Sequence, residues 1–317
     1  AILMHDIGHA PFSHVLENTL IHGITHEEIS LMMMQRINDE MHGELNLAIK
    51  IFKDEYAKKF LHQLISSQLD VDRLDYLRRD SFFTGVTEGN IGSARIIKML
   101  NVVDDSLVVE SKAIYSIENY RTSRRLMYWS VYLHKTVVAY ERTLINCIRR
   151  AEYLAKQGWD IFASPALKYF LYNDINADWF TSHPEALDMY SQLDDSDIWS
   201  AVKVWAQSDD KLLSMLADDV INRHIFKVEV REEPVSDEEQ HELRKSLAEK
   251  AGISYDDAGY LMSVNTIQKD MYDINDDHIS ILYKDGTIKD ITEASELLNV
   301  DLLSKKVRKY YLCYQRF

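Results

Sequence analysis

The amino-acid sequence predicts a mainly α-helical protein with a smaller C-terminal α+β lobe, and three observations carry that prediction. Apolar residues recur at three- and four-residue spacing from residue 1 to about 220, the chain of 317 residues holds only 10 Gly and 4 Pro, and strand-like alternation begins after about Val220. With 46% hydrophobic and 27% charged residues the composition is that of a folded chain. Its length suits one large domain, or a core domain with an appendage.

Along the chain, Met33, Met34 and Ile37, then Leu45, Ile49 and Phe52, mark faces of a helical bundle. The run from Val102 to Val109 reads as a hairpin, because β-branched segments flank Asp104-Asp105-Ser106. A long helical stretch is expected from about Ile114 through Ala155. Ile225 to Val230 alternates as a strand, Asp237 to Lys250 as an acidic helix, and Ile279 to Ile288 as a second hairpin about Asp285-Gly286. The change of texture divides the chain into a helical domain at 1–220 and an α+β lobe at 221–317. No low-complexity linker separates them, so the join is expected to be packed. The chain opens on Ala1-Ile2-Leu3-Met4-His5, which reads as the middle of an apolar helix, and upstream sequence is therefore expected.

Charge narrows the function. With 36 Lys plus Arg against 51 Asp plus Glu, a net charge of -15 repels nucleic acid and anionic membranes at long range. A phosphate-bearing substrate then needs a metal ion and a few local Arg or Lys. Cys147 and Cys313 are far apart in sequence, which offers no disulfide framework and suits a reducing cytoplasm. No run of 18 apolar residues and no signal peptide is visible.

Five of the 12 histidines, His5, His9, His14, His22 and His26, fall at the start of the chain, with Asp6 beside the first. Packing has no use for such a cluster, whereas imidazole and carboxylate together suit a divalent first-row metal. His5 and His9 are expected on one helix face. His14 and Glu17, three apart, form a relay in which the carboxylate orients the ring and raises its basicity. A second cluster runs from Asp70 to Asp80. On a helix it places Asp72, Asp75 and Arg79 near one face and Arg73, Tyr76 and Asp80 on another, a pattern that by itself favours surface ion pairs. Gly85 is expected to close that helix, and the segment 82–89 to form a loop beside the pocket.

The ordered set His5-Asp6-Ile7-Gly8-His9-Ala10-Pro11-Phe12-Ser13-His14, Thr25-His26-Glu27, Asp70-Val71-Asp72-Arg73-Leu74-Asp75-Tyr76, Arg79-Asp80, Ser123-Arg124 and Tyr132-Leu133-His134-Lys135 resembles the HD-superfamily deoxynucleoside triphosphate triphosphohydrolases over roughly the first 220 residues. The resemblance implies an HD-domain helical bundle that splits a deoxynucleoside triphosphate into deoxynucleoside and triphosphate. It implies His5, Asp6 and Asp72 as ligands of one divalent metal ion, whether Mg, Mn, Fe, Zn or Ni. It makes His14 the proton donor to the leaving oxygen, with Glu17 behind it, and His26 a second active-site histidine. His9 would contact the α-phosphate region, Arg73, Arg124 and Lys135 the polyphosphate, and Tyr76, Asp80 and Tyr132 the sugar edge.

The family pattern also has a histidine ligand and an arginine upstream of the His-Asp pair, outside this sequence, and Gln where Leu133 stands. A homo-oligomer, dimer or tetramer, with the C-terminal lobe helping to build it, and a regulatory nucleotide also follow from the resemblance. Two other readings share these residues: an HD-type phosphodiesterase or nucleotidase on another nucleotide, and a catalytically silent nucleotide-binding regulator.

Overall fold

The computed structural model describes residues 1–17, 19–269, 278–295 and 307–317. Helices lead the chain: α1 (His26–Glu40), α2 (Asn46–Phe52), α3 (Lys59–Gln63), α4 (Val71–Thr84) and α5 (Ser93–Met99) precede a hairpin of β1 (Leu100–Val103) and β2 (Ser106–Glu110). Then come α6 (Ile114–Met127), α7 (Lys135–Lys156), α8 (Pro165–Tyr172), α9 (Ala177–Ser182), α10 (Glu185–Ser191), α11 (Asp195–Trp205) and α12 (Lys211–Asn222). The remainder is β3 (Lys227–Arg231), α13 (Asp237–Ala251), β4 (Met262–Lys269), β5 (Ser280–Leu282), β6 (Ile288–Asp290), α14 (Ile291–Ala294) and β7 (Val307–Tyr314). The mainly α architecture with small sheets is as the periodicity predicts.

Local chemistry sets the ends of these elements. Asp70 caps α4 by accepting from the Arg73 N–H at 2.7 Å, and Gly85 closes the helix at φ 72°, as its position after the apolar run suggests. Asp104 and Asp105 both take positive φ, the geometry a two-residue turn needs to match strand twist, and β1 and β2 pair antiparallel around them.

The chain forms two compact units that are interleaved in sequence rather than cut at one point near residue 220. The first comprises 1–5, 34–134 and 268–308, and the second 6–33, 135–267 and 309–317. In the first, Leu77, Ile96, Ile117, Tyr120 and Met127 form a core under a four-stranded sheet of order β1-β2-β5-β6. The Ile279–Ile288 hairpin therefore forms, but β5 joins β2 in parallel, with Ile281 opposite Val109, instead of extending the sheet that contains β3. Burial of Ile279 and Ile281 with Val109 and Ile117 explains that placement.

The second unit packs α8, α11 and α12 about α7, with Cys147, Ile148, Phe170, Val202 and Leu216 fully buried, beside a sheet of order β3-β7-β4. Arg150 crosses this core. Its guanidinium donates to Asp210 at 2.6 and 3.1 Å and to Asp257 at 2.7 Å, and it lies 5.2 and 5.4 Å from the Tyr153 and Tyr260 rings. Among the described residues no helix is long and apolar enough to cross a membrane.

Two expectations are corrected. The stretch from Ile114 through Ala155 is not one helix: α6 passes into a π-helical turn at Tyr128–Tyr132, and α7 restarts at Lys135. Leu133 N–H reaches the Tyr128 carbonyl at 2.7 Å, five residues back, which widens the turn and redirects the aromatic side chains. The opening residues are likewise not an α-helix. A single 3-10 turn at Ile2–Met4 is followed by turns through residue 8, so His5 and His9 do not share a helix face.

Asp219 on α12 is buried and accepts from Gln315 Nε2 at 2.7 Å. Burial dominates and lifts its carboxyl to about 6, against the opposing pull of Gln315 and His224. The folded state thus favours the neutral acid. Its contribution is fully present below the ordinary aspartate value of about 3.9 and is lost as pH rises through about 6. Urea unfolding from pH 4 to 7 should show this loss, on the order of 2 kcal/mol, and Asp219→Asn should flatten it.

Candidate active site

In the second unit the histidines gather around one carboxylate. Glu17 Oε2 meets His14 Nδ1 at 2.9 Å, while Oε1 meets His26 Nδ1 at 2.8 Å and accepts the His26 N–H at 3.2 Å. Burial opposes the charge on Glu17, but these hydrogen bonds outweigh it and hold the carboxyl at about 2. His9 stacks on His26 with ring centroids 4.1 Å apart, and His14 meets both rings edge-on at 4.8 and 5.1 Å. Burial lowers the His9 pKa and the adjacent His26 adds to the effect, while Asp6, 3.6 Å from His9 Nε2, works against it.

The loop that carries these rings is held by contacts that spacing does not reveal. A Cβ at Gly8 would lie 2.3 Å from the His26 carbonyl and 2.3 Å from the Ser30 nitrogen, so only glycine fits beside α1. The Gly8 N–H donates to Ser30 Oγ at 2.9 Å, and the buried Tyr190 hydroxyl donates to the Gly8 carbonyl at 2.7 Å. Phe12 and Ser13 take φ of 57° and 50°, a costly conformation that turns His14 out of the loop. It is held by the Phe12 N–H on Asp195 at 2.8 Å and by Phe12 against Trp199 at 5.6 Å. Gly8, Ser30, Tyr190 and Asp195 are supporting residues that sequence reasoning missed. The glycine inside the histidine motif was the available signal. His22 pairs its backbone N–H with the Ile175 carbonyl and stays exposed.

The first unit holds His5 and the acidic helix α4. His5 Nδ1 lies 2.7 Å from the Ile2 carbonyl, which can only accept, so Nδ1 carries the proton and Nε2 the lone pair. Nε2 stands 3.7 Å from Asp72 Oδ1. Two lone-pair donors at that separation approach the roughly 3.0–3.4 Å expected between ligands each about 2.1 Å from one ion. The donor set fits a divalent cation.

On the next face of α4, Tyr132 from the π-helical turn donates to Asp80 Oδ2 at 2.7 Å and meets the Tyr76 ring edge-on at 6.1 Å. Burial raises the Tyr76 hydroxyl's pKa, and Arg124 and Arg73 both pull it the other way. Arg73 Nε lies 3.3 Å from Asp70 Oδ2, Arg124 Nη1 donates to Gln68 Oε1 at 3.3 Å, and the Tyr120 hydroxyl donates to the Gln68 carbonyl at 2.8 Å. Arg73 Nη1 and Arg124 Nε are buried with no acceptor among the described residues. Buried guanidinium N–H groups are costly without an acceptor and favour an anion.

Gln68 and Tyr128, whose ring lies 5.7 Å from the Arg124 guanidinium, belong to this face and were not anticipated. The Asp75–Arg79 pair at 2.7 Å is the surface ion pair that the spacing alone suggests. Lys135 belongs to the second unit, where it lines a cavity of about 630 Å³ with Arg223, Lys227 and Arg316.

Comparison with known proteins places these residues in context. Residues 91–159 match the family model described as the HD associated region. The chain is 29% identical to the Bacillus subtilis protein YwfO over 99% of its own length and 72% of that protein. It is 27% identical to the Dictyostelium discoideum deoxynucleoside triphosphate triphosphohydrolase SAMHD1 homolog, over 49% of this chain and 33% of that protein. Among solved structures, a phosphohydrolase from Bacteroides thetaiotaomicron superposes with a TM-score of 0.95 at 64% identity, covering 99% of this chain and 78% of that one.

Two measurements check the geometry. Gly8→Ala should destabilise the protein by about 3 kcal/mol or more in urea unfolding, because its Cβ meets backbone on both sides. A double-mutant cycle with Tyr132→Phe and Asp80→Asn should return a coupling of about 1–3 kcal/mol; independent effects would show the pair to be incidental.

Proposed function

Because the chain belongs to the HD-superfamily phosphohydrolases, we propose that it is a metal-dependent deoxynucleoside triphosphate triphosphohydrolase, releasing deoxynucleoside and triphosphate. The observation that carries this reading is the α4 face, where two arginines with buried, acceptor-less N–H groups flank a tyrosine that adjoins a hydroxyl–carboxylate pair. That combination suits a phosphate chain at one end and a sugar at the other.

The roles divide accordingly. Arg73 and Arg124 bind phosphate oxygens and neutralise charge on the chain. Tyr76 offers a ring face to the deoxyribose, and Asp80, oriented by Tyr132, accepts from the 3'-hydroxyl. His14 gives a proton to the leaving 5'-oxygen, and Glu17 fixes its tautomer and disperses the charge it carries beforehand. His26 holds Glu17 from the other side, and His9 contacts the α-phosphate region. Lys135 is a further contact to the polyphosphate. His5, Asp6 and Asp72 would hold the divalent metal, which supplies charge neutralisation and an acidified water when bound. The same reading makes the protein a cytoplasmic homo-oligomer, dimer or tetramer, acting on nucleotides and open to a regulatory one.

Incubation of the protein with each deoxynucleoside triphosphate and Mn or Mg, with products separated by ion-exchange chromatography, should show deoxynucleoside and triphosphate. Monophosphate with pyrophosphate, or single phosphate release, would contradict the reaction. His14→Ala should lower kcat by roughly 10²–10⁴-fold. Chelation should abolish turnover and added Mn restore it, whereas Asp72→Asn should resist that restoration.

A further inference from the structure

The second unit contains a cavity of about 760 Å³ between α7, α13 and the start of β4, and its wall carries three arginines, Arg142, Arg149 and Arg244. The lining holds one carboxylate, Asp237, in a chain whose net charge is -15; Arg142 and Arg149 also line a second cavity together with Glu17, Glu141 and Glu152. Such a local excess of guanidinium runs against the average field of the molecule.

Arg244 is fixed in place. It donates from Nε to the Tyr255 carbonyl at 2.7 Å and from Nη2 to the Asp256 carbonyl at 2.7 Å, it stacks on the Tyr255 ring at 4.4 Å, and Nη2 also lies 3.4 Å from the exposed Asp256 carboxylate. Gly259 permits that seat, since a Cβ there would come within 3.0 Å of Nη2. His241 meets the Tyr255 hydroxyl at 2.7 Å and locks the same corner. The other two arginines are unspent. Arg142 is half-buried beside Glu141, and neither Arg142 nor the exposed Arg149 makes a hydrogen bond or an ion pair among the described residues; Arg142 Nε is buried without an acceptor. They sit seven residues apart on α7, two turns along one face and about 10 Å in rise.

We propose that this cavity binds a polyphosphate-type anion, either free inorganic polyphosphate or the phosphate chain of a nucleotide. Three guanidinium groups, one prepositioned by backbone carbonyls and two without acceptors, match an anion that presents several charged oxygens over a span longer than a single phosphate. The site needs no metal, and none of its lining residues belongs to α4, to which the substrate phosphates are assigned.

Isothermal titration of inorganic triphosphate in the presence of a chelator tests it. In the Arg73→Gln/Arg124→Gln protein, which lacks the phosphate contacts of the α4 face, one saturable binding event should remain. Adding Arg142→Gln and Arg149→Gln should weaken that event at least tenfold, and adding only the exposed Arg149→Gln at least threefold, with the melting temperature confirming that each variant is folded. Absence of the residual event, or its persistence unchanged in folded Arg142→Gln/Arg149→Gln protein, would overturn the proposal. Failure of the substrate assay above leaves this titration unaffected, so the two readings fail separately. Tenfold tighter binding of dATP than of triphosphate identifies a nucleotide as the ligand, and equal binding identifies the polyphosphate itself.

Discussion

Everything around the histidine cluster depends on the placement of one carboxylate. Glu17 faces two imidazole nitrogens and a backbone N–H with its two oxygens, which fixes His14 and His26 relative to each other before any ligand arrives. The three rings crowd together, with centroids 4.1 to 5.1 Å apart. A carboxyl held at about 2 supplies a permanent negative charge in their midst. The hydrogen bonds from both rings to one carboxylate hold the shape of the cluster. The strained turn at Phe12 and Ser13 belongs to the same arrangement, because it leaves His14 exposed while Glu17 stays half-buried.

The α4 face follows a different logic. Arg73 is held at Asp70 and Arg124 at Gln68 and Tyr128, while other N–H groups remain buried without acceptors among the described residues. Folding leaves these donors unsatisfied, at a cost that any anionic acceptor would remove. Tyr76, Tyr128 and Tyr132 do the complementary job: packed edge-on to one another they form a wall, and the Tyr132 hydroxyl is fixed on Asp80.

Much of this was legible in the sequence, for physical reasons that differ by element. Helices with strong caps, such as α4 between Asp70 and Gly85, announce their ends in the residue types that satisfy free backbone groups. The two hairpins were legible because their turns need positive φ, at Asp104 and Asp105 and at Gly286. The partner of the second hairpin was not, because strand pairing with β2 is decided by burial across more than 170 residues, and alternation records only which side is apolar. The π-helical turn escaped notice because its apolar spacing hardly differs from that of an α-helix over five residues. The histidine motif revealed its ring types but not their division: His5 faces Asp72, His14 and His26 turn to Glu17, and His9 stacks on His26 with Nε2 toward Asp6. Turns allow neighbouring side chains to part in a way no helical wheel can represent.

The interleaving of the two units constrains how the protein is made. The chain passes between them after residues 5, 33, 134, 267 and 308. During synthesis neither core can close early: the first unit waits for β5 and β6, and the second for β7. Apolar faces such as that of α7 must stay soluble until late partners emerge from the ribosome. Contacts of such long sequence separation favour slow, cooperative acquisition of structure, so the histidine loop and the acidic helix are expected to mature together rather than one after the other.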